Sequence, residues 1–189
     1  MKLEGTLVNL VPYNEPFWKQ DRRWYNGEGS FFWYMGERLI ATQSLVDGIR
    51  QMINEDRERC DPRMRFGIET KDGVPIGMYG LNVVLPHCRN ASLSVMIAEP
   101  AYWGSGYGTD ALLLIVDYVF NWLDMRRVWL ETMGINARAQ AHLAKVGFRL
   151  EARRRAATFA DGQYVDVLMY GLQRDEWPGR AALIEKLGK

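Results

Sequence analysis

The sequence predicts an α/β domain built on a mixed, mostly antiparallel central sheet flanked by helices. Three observations carry that expectation. Segments with period-two alternation and turn signals between them, Leu3 to Val11 and again Arg65 to Val84, read as strands. The period changes to that of a helix at Thr109, and helix and strand patterns alternate from there. No internal repeat or Pro/Ser-rich linker divides the 189 residues, a length that suits one domain over 1–189.

Taken in order, Leu3, Gly5, Leu7, Asn9 and Val11 alternate before Pro12, which gives a first strand closed by a turn. Trp18 to Glu58 is polar with large aromatics set into it, Trp18, Trp24, Tyr25 and the run Phe31 to Tyr34. Asn26-Gly27-Glu28-Gly29 interrupts it, so two helices with a mobile joint are expected. Leu45, Ile49, Met52 and Ile53 mark the second helix behind Thr42 or Ser44 as its cap. Arg65 to Thr70 and Pro75 to Val84 flank Asp72-Gly73, a hairpin signature, and Ala91 to Ala98 is a third strand in series. From Thr109, Leu112, Ile115, Val119 and Trp122 keep one face while Asp110, Asp117 and Asn121 lie on another, the pattern of a long amphipathic helix. Arg127 to Thr132 reads as a strand. Asn136 to Val146 reads as a short helix that Gly147 ends in a left-handed turn, and Phe148 resumes extended chain. Asp161-Gly162 forms another hairpin bend leading into Val165 to Leu172. The expected order is β, two helices, three strands, helix, strand, helix, two strands.

Composition narrows the function classes. Hydrophobic residues make up 48% and charged residues 25%, as in ordinary folded domains. Lys plus Arg total 24 against 23 Asp plus Glu, with no cationic excess to favour nucleic acid or an anionic membrane. The longest mid-chain apolar run, Ala111 to Val116, falls far short of the ~20 residues that span a bilayer, and the N-terminus lacks the apolar core of a signal peptide. A cytoplasmic protein without membrane association is expected. Cys60 and Cys88 form no CxxC and only His87 and His142 accompany them, so two free thiols and no metal are expected.

The most informative stretch runs from Ser94 to Leu112, a strand, a turn with Gly104, Gly106 and Gly108, and a helix start. Glycines let a backbone approach a ligand closely, and amides at a helix N-terminus offer donors and a positive dipole end to a phosphate. A turn that merely needs flexible residues fits the same letters. A dinucleotide fingerprint would need Gly where Thr109 stands, and a P-loop would need Gly-Lys-Ser/Thr, so neither nucleotide motif matches.

Trp103-Gly-Ser-Gly-Tyr-Gly-Thr109, together with Asn136-Ala-Arg-Ala139 and Gly147-Phe148, resembles the GNAT superfamily of acetyl-CoA-dependent N-acetyltransferases. That family carries a Q/R/W-G-x-G-x-G/A turn for the CoA pyrophosphate and, later, N-x-R-A/S before a short helix ending in G-F. Pro100 to Gly104, Asp161 to Asp166 and Met169 to Trp177 look like the branch of ribosomal-protein N-terminal acetyltransferases. The resemblance covers Met1 to Trp177 in element order, with its motifs in 91–177. It implies a GNAT-like fold and a pyrophosphate held at Trp103, Gly104, Ser105, Gly106, Tyr107, Gly108 and Thr109, through the amides of Gly104 to Thr109. It also implies main-chain pairing of Met96, Ile97 and Ala98 with the pantetheine arm, and a hydrogen bond to that arm from Asn136. Arg138 either reaches a phosphate or lies on a solvated helix face.

The implied reaction transfers an acetyl group from acetyl-CoA to a primary amine of a small molecule or of a peptide or protein N-terminus, without a metal. A catalytically weak acyl-CoA-binding sensor or regulatory domain is the alternative, and a homodimer is compatible with either. A backbone N–H near Met96 would hold the oxyanion. The sequence departs from the family where it often places a Glu base, here Ser92, a Tyr acid, here Leu143, and a Ser, here Ala139. Glu131 is the candidate base, although alternation sends Glu131 and Thr132 to opposite faces and either could meet the cleft. Ser92 could orient a water but not act as a base. His142 falls with Arg138 and Lys145 at helical spacing, the pattern of a solvated face. In the resembling fold the first helices cover the acceptor, which makes Trp24, Phe32 and Trp33 candidate acceptor-binding residues; core packing is the other reading. Glu55, Asp56 and Glu58, balanced by Arg57 and Arg59, are the only local acidic group, which argues against a polyamine site.

Overall fold

In the computed structural model, residues 2–38, 40–58, 63–84 and 86–188 are described, with the side chains of 52–58, 63, 83, 84 and 86 left aside. Arg59, Cys60 and the side chains of Met52, Ile53, Glu55, Asp56, Arg57 and Glu58 therefore lie outside the described residues.

The expected first strand is two, β1 (Leu3–Glu4) and β2 (Val8–Pro12), because the chain folds back at Gly5, whose N–H donates to Val8 O at 2.8 Å. The expected pair of helices is four. Three are a single turn or little more, α1 (Glu15–Trp18), α2 (Asp21–Tyr25) and α3 (Glu28–Trp33), and each buries aromatic or small residues. The long one, α4 (Gln43–Glu58), starts where Thr42 Oγ1 accepts from Leu45 N at 3.2 Å, so Thr42 is the cap. Among its described side chains the buried apolar one is Val46, not Leu45, which is 41% exposed.

β3 (Arg63–Thr70) and β4 (Pro75–Val84) form the expected hairpin, with Gly73 at φ 80° in its bend. β5 (Asn90–Ile97) follows, then α5 (Tyr107–Asp117), β6 (Arg127–Met133), α6 (Ala137–Val146), β7 (Arg149–Ala160), β8 (Gln163–Gln173) and α7 (Arg180–Lys186). Gly147 ends α6 at φ 104° and Gly162 turns β7 into β8 at φ 85°. One open sheet of eight strands runs β1-β2-β3-β4-β5-β6-β8-β7, mixed and mostly antiparallel, flanked by helices. Among the described residues only the β5–β6 pair is parallel.

Two expectations about α5 are corrected. A wider π turn continues it from Tyr118 to Trp122, which shifts the helical phase and leaves Trp122 70% exposed rather than on the apolar face. Asp110, expected on a polar face, is 2% exposed. It accepts from Leu7 N at 2.7 Å and Val8 N at 3.0 Å, and faces Arg180 Nη2 at 3.8 Å. The amphipathic pattern missed it because its partners are backbone amides of the N-terminal turn. The helix α7 adds an element beyond the expected order; Leu183 buries in the main core with Ile184 and Leu187 packed beside it.

Strand alternation gives the sheet two apolar faces. Ala91, Leu93, Val95 and Ile97 of β5 turn to the core formed with α5, whereas Met96 and Ala98 join Met78, Phe17, Trp24 and Tyr25 beneath the N-terminal helices. The parallel ladder covers only Asn90↔Arg127, Ala91↔Val128 and Ser92↔Trp129. Past Ser92, β5 stays paired with β4 to Ile97 while β6 stays paired with β8 to Met133. Each arm is held by its other neighbour, so the sheet splits between them.

Candidate functional site

The split gives β5 an edge inside the sheet. Ala98 N donates to Ile76 O at 2.8 Å, towards β4, so by alternation Ile97 and Val95 direct their main-chain groups into the gap. Trp103 Nε1 donates to Ile97 O at 2.7 Å and fastens the glycine turn to the end of β5. Gly29 lets α3 approach from the other side, since a Cβ there would lie 3.3 Å from Ile97 O and from Ala98 Cα.

Two cavities occupy the split. The larger, ≈ 800 Å³, is bounded by Val95, Met96 and Ile97 of β5, by the turn at Trp103, Gly104, Ser105 and Gly106, by Gly108 and Thr109 at the start of α5, and by α6. Ala98 and Tyr107 stand behind this lining, Ala98 in the core and Tyr107 edge-on to Tyr102 with 4.9 Å between ring centres. Gly104 and Gly106 take φ 80° and 92°, a left-handed conformation that side chains rarely adopt. Gly106 caps α5, so the donors at that helix N-terminus open on the cavity.

Asn136 is the N-cap of α6. Its Oδ1 accepts from Ala139 N at 3.2 Å and its Nδ2 donates to Thr132 Oγ1 at 3.2 Å, so the side chain ties α6 to β6. Arg138 lines the cavity, its guanidinium carbon 3.8 Å from the Trp103 ring centre and 5.8 Å from that of Phe32. Partial burial lowers its pKa. Arg138, Lys145 and Lys186 line this cavity and no carboxylate does, among the described residues. The electrostatics suit a polyanion.

The smaller cavity, ≈ 270 Å³, lies between α3 and the β6 arm. Phe32 and Trp33 line it; Trp24 lines neither cavity and is buried, with Nε1 donating to Glu99 Oε1 at 2.6 Å. Ser92 lines it too and its Oγ accepts from Asn82 Nδ2 at 3.4 Å. Glu131 and Thr132 both border it, because it sits where β6 frays from β5 and exposes both faces. The Glu131 carboxylate accepts from Arg154 Nη2 at 2.6 Å, a guanidinium reaching across from β7. Leu143, at the family's Tyr position, is buried in the main core.

Phe32, Val95, Asn136, Ala139 and His142 line both cavities. His142 is thus part of the wall between them, half-buried rather than on a solvated face. A Cβ on Gly108 would come within 3.5 Å of its ring. Helical spacing alone could not reveal this, since the gap in the sheet decides which side of α6 is covered. Cys88 is exposed and carries a free thiol. The described residues hold no group of three metal-ligating side chains, and no described helix is long and apolar enough to cross a membrane.

Comparison with known proteins agrees with this geometry. A family profile described as acetyltransferase (GNAT) domain matches residues 16–149. The chain is 30% identical over 133 residues to spermidine N(1)-acetyltransferase of Escherichia coli strain K12, covering 70% of this chain and 67% of the relative. It is 29% identical over 139 residues to YdaF of Bacillus subtilis strain 168, provisionally named a ribosomal N-acetyltransferase, covering 72% of this chain and 75% of YdaF. Among solved structures, RimJ of Mycobacterium smegmatis in complex with CoA-disulfide superposes with a TM-score of 0.78 at 21% identity, covering 100% of this chain and 95% of that one.

Proposed function

Because the chain belongs to the GNAT family and is an acyltransferase, we propose that it transfers the acetyl group of acetyl-CoA to a primary amine in the cytoplasm, with 1–189 acting as one domain. The acceptor is a small molecule with an apolar flank or a peptide or protein N-terminus. The observation that carries this reading is the meeting of two cavities at one wall, the larger with a helix N-terminus and three cations, the smaller with aromatic sides.

In this reading the amides from Gly104 to Thr109 receive the pyrophosphate, and the gap-facing edge of β5 pairs with the pantetheine arm as an added strand would. The resemblance implies main-chain groups of Met96 to Ala98 as this edge; alternation favours Val95 and Ile97, whose N–H groups also suit a developing oxyanion. Asn136 positions α6 against this arm. The thioester then lies at the shared wall, beside His142.

An alkylamine with a pKa of about 10.4 arrives protonated, so the smaller cavity must accept a proton before attack. Glu131 is the carboxylate there, and a water held by Ser92 would extend its reach. As the neutral amine attacks the thioester carbon, the C–N bond forms and the nitrogen becomes cationic; the C–S bond then breaks, and the proton the nitrogen sheds goes to the departing thiolate. Positioning in a closed site supplies much of the rate. Glu131 is the only carboxylate among the described lining residues and Arg154 already holds it, which disfavours an acceptor with several cations.

The test measures release of free thiol from acetyl-CoA across amines, polyamines and peptides of varied N-terminus. Turnover with a peptide or apolar amine is the expected result. Acetyl-CoA binding without thiol release on any amine would replace this reading with an acyl-CoA sensor.

A further inference from the structure

Lys145 near the end of α6 and Lys186 at the end of α7 line the large cavity and are absent from the lining of the small one. The residues common to both cavities mark the acyl end, so these lysines belong to the other end, where the nucleotide of CoA would lie. Neither has a carboxylate partner among the described residues. Backbone amides suit a pyrophosphate, which carries about one charge per phosphorus. The ribose phosphate of CoA is a monoester with charge near −1.5 to −2 at neutral pH and calls for cations instead.

The helix that carries Lys186 is tied to the floor of the same site. Arg180, at the start of α7, faces Asp110 at 3.8 Å, in the first turn of the helix whose N-terminus opens on the cavity. Leu183 is buried, and Leu187 both packs on the core and lines the cavity. The geometry points to α7 as a wall of the cosubstrate site, with Lys186 recognising the ribose phosphate monoester and Arg180 positioning it through Asp110. This rests on the acetyl-CoA reading above and adds a ligand-recognising role for the C-terminal helix.

The experiment compares calorimetric affinities for CoA and dephospho-CoA, which differ only in that monoester, using the full chain and its Lys186→Met and Arg180→Met variants. The unaltered protein is expected to prefer CoA by at least about fivefold. Lys186→Met should reduce that preference by weakening CoA binding while dephospho-CoA binds as before, with Lys145 still at the same end of the cavity. Arg180→Met should reduce the preference with Lys186 still present, a result that general loosening of the fold would not give, since loosening weakens both ligands alike. Equal weakening of both ligands by Lys186→Met, or no change in either, overturns the assignment. An unchanged preference in Arg180→Met overturns the positioning role. If the unaltered protein binds neither ligand, the acetyl-CoA reading itself fails and this assignment with it.

Discussion

Trp24 Nε1 donates to Glu99 Oε1 at 2.6 Å, joining the helix α2 to the residue that follows β5 and precedes the glycine turn. The same carboxylate receives Arg23 from the neighbouring position. Trp24 therefore holds the turn in place from behind. Trp24→Phe keeps most of the buried ring but removes the donor, leaving a half-buried carboxylate short of one partner. We expect a loss of about 1–3 kcal/mol in urea unfolding, with acceptor preference unaltered. A change of acceptor KM ratios in a fully folded Trp24→Phe protein would restore it to the acceptor pocket.

Glu99 also predicts a pH dependence. Burial alone would raise its pKa, but the hydrogen bonds from Arg23 and Trp24 and the Arg23 charge together hold it below the ordinary 4.5. A carboxyl with a lower pKa in the folded state adds stability at pH values above its unfolded value, and that stability is lost as pH falls through the folded value. Glu99→Gln should therefore reduce stability at pH 7 and flatten the decline seen on acidification below about pH 4.5. Melting temperatures measured from pH 7 to pH 3 check this. Parallel curves for the two proteins would remove Glu99 from the acid response.

Asp110 predicts the cost of disturbing the N-terminal turn. Its carboxylate accepts two amides of that turn while almost fully buried. A Cβ added to Gly5 would lie 2.3 Å from Asp110 Oδ2 and 2.7 Å from Val8 O, too close for either to remain in place. Gly5→Ala and Asp110→Asn should each cost about 2–4 kcal/mol, and together less than the sum, since both break one contact. Additive losses in chemical unfolding would show that the two sites are independent.

The parts of the fold that were legible in the sequence are those fixed by local chemistry. Asp72-Gly73 and Asp161-Gly162 announce their bends, Gly147 its left-handed helix end, and the alternating glycines from Gly104 the turn that borders the large cavity. Each depends on what one residue's backbone can adopt. What stayed hidden depends on partners far along the chain. Asp110 reads as a solvated helix residue until Leu7 and Val8 meet it, and nothing near Glu131 in the sequence announces the Arg154 guanidinium that reaches it from another strand. His142 changes meaning for the same reason, because the face of α6 that matters is set by where β5 and β6 part.

The two aromatic neighbours Phe32 and Trp33 should separate the two ligands. Trp33 lines only the small cavity, whereas Phe32 lines both and lies 5.8 Å from the guanidinium carbon of Arg138. If the acceptor enters the small cavity, Trp33→Ala enlarges that site alone and should raise the acceptor KM about tenfold, with acetyl-CoA affinity unchanged. Phe32→Ala removes part of the shared wall and one ring beside Arg138, so it should weaken both ligands. Neither ring is fully buried, and the loss of stability should stay below the roughly 3–5 kcal/mol of a core aromatic truncation. Melting temperature, acetyl-CoA affinity and acceptor KM measured on the same two variants decide the matter. If Trp33→Ala lowers stability by that full amount while the acceptor KM holds, Trp33 is part of the core beside Tyr25 and Val46 and the acceptor lies elsewhere.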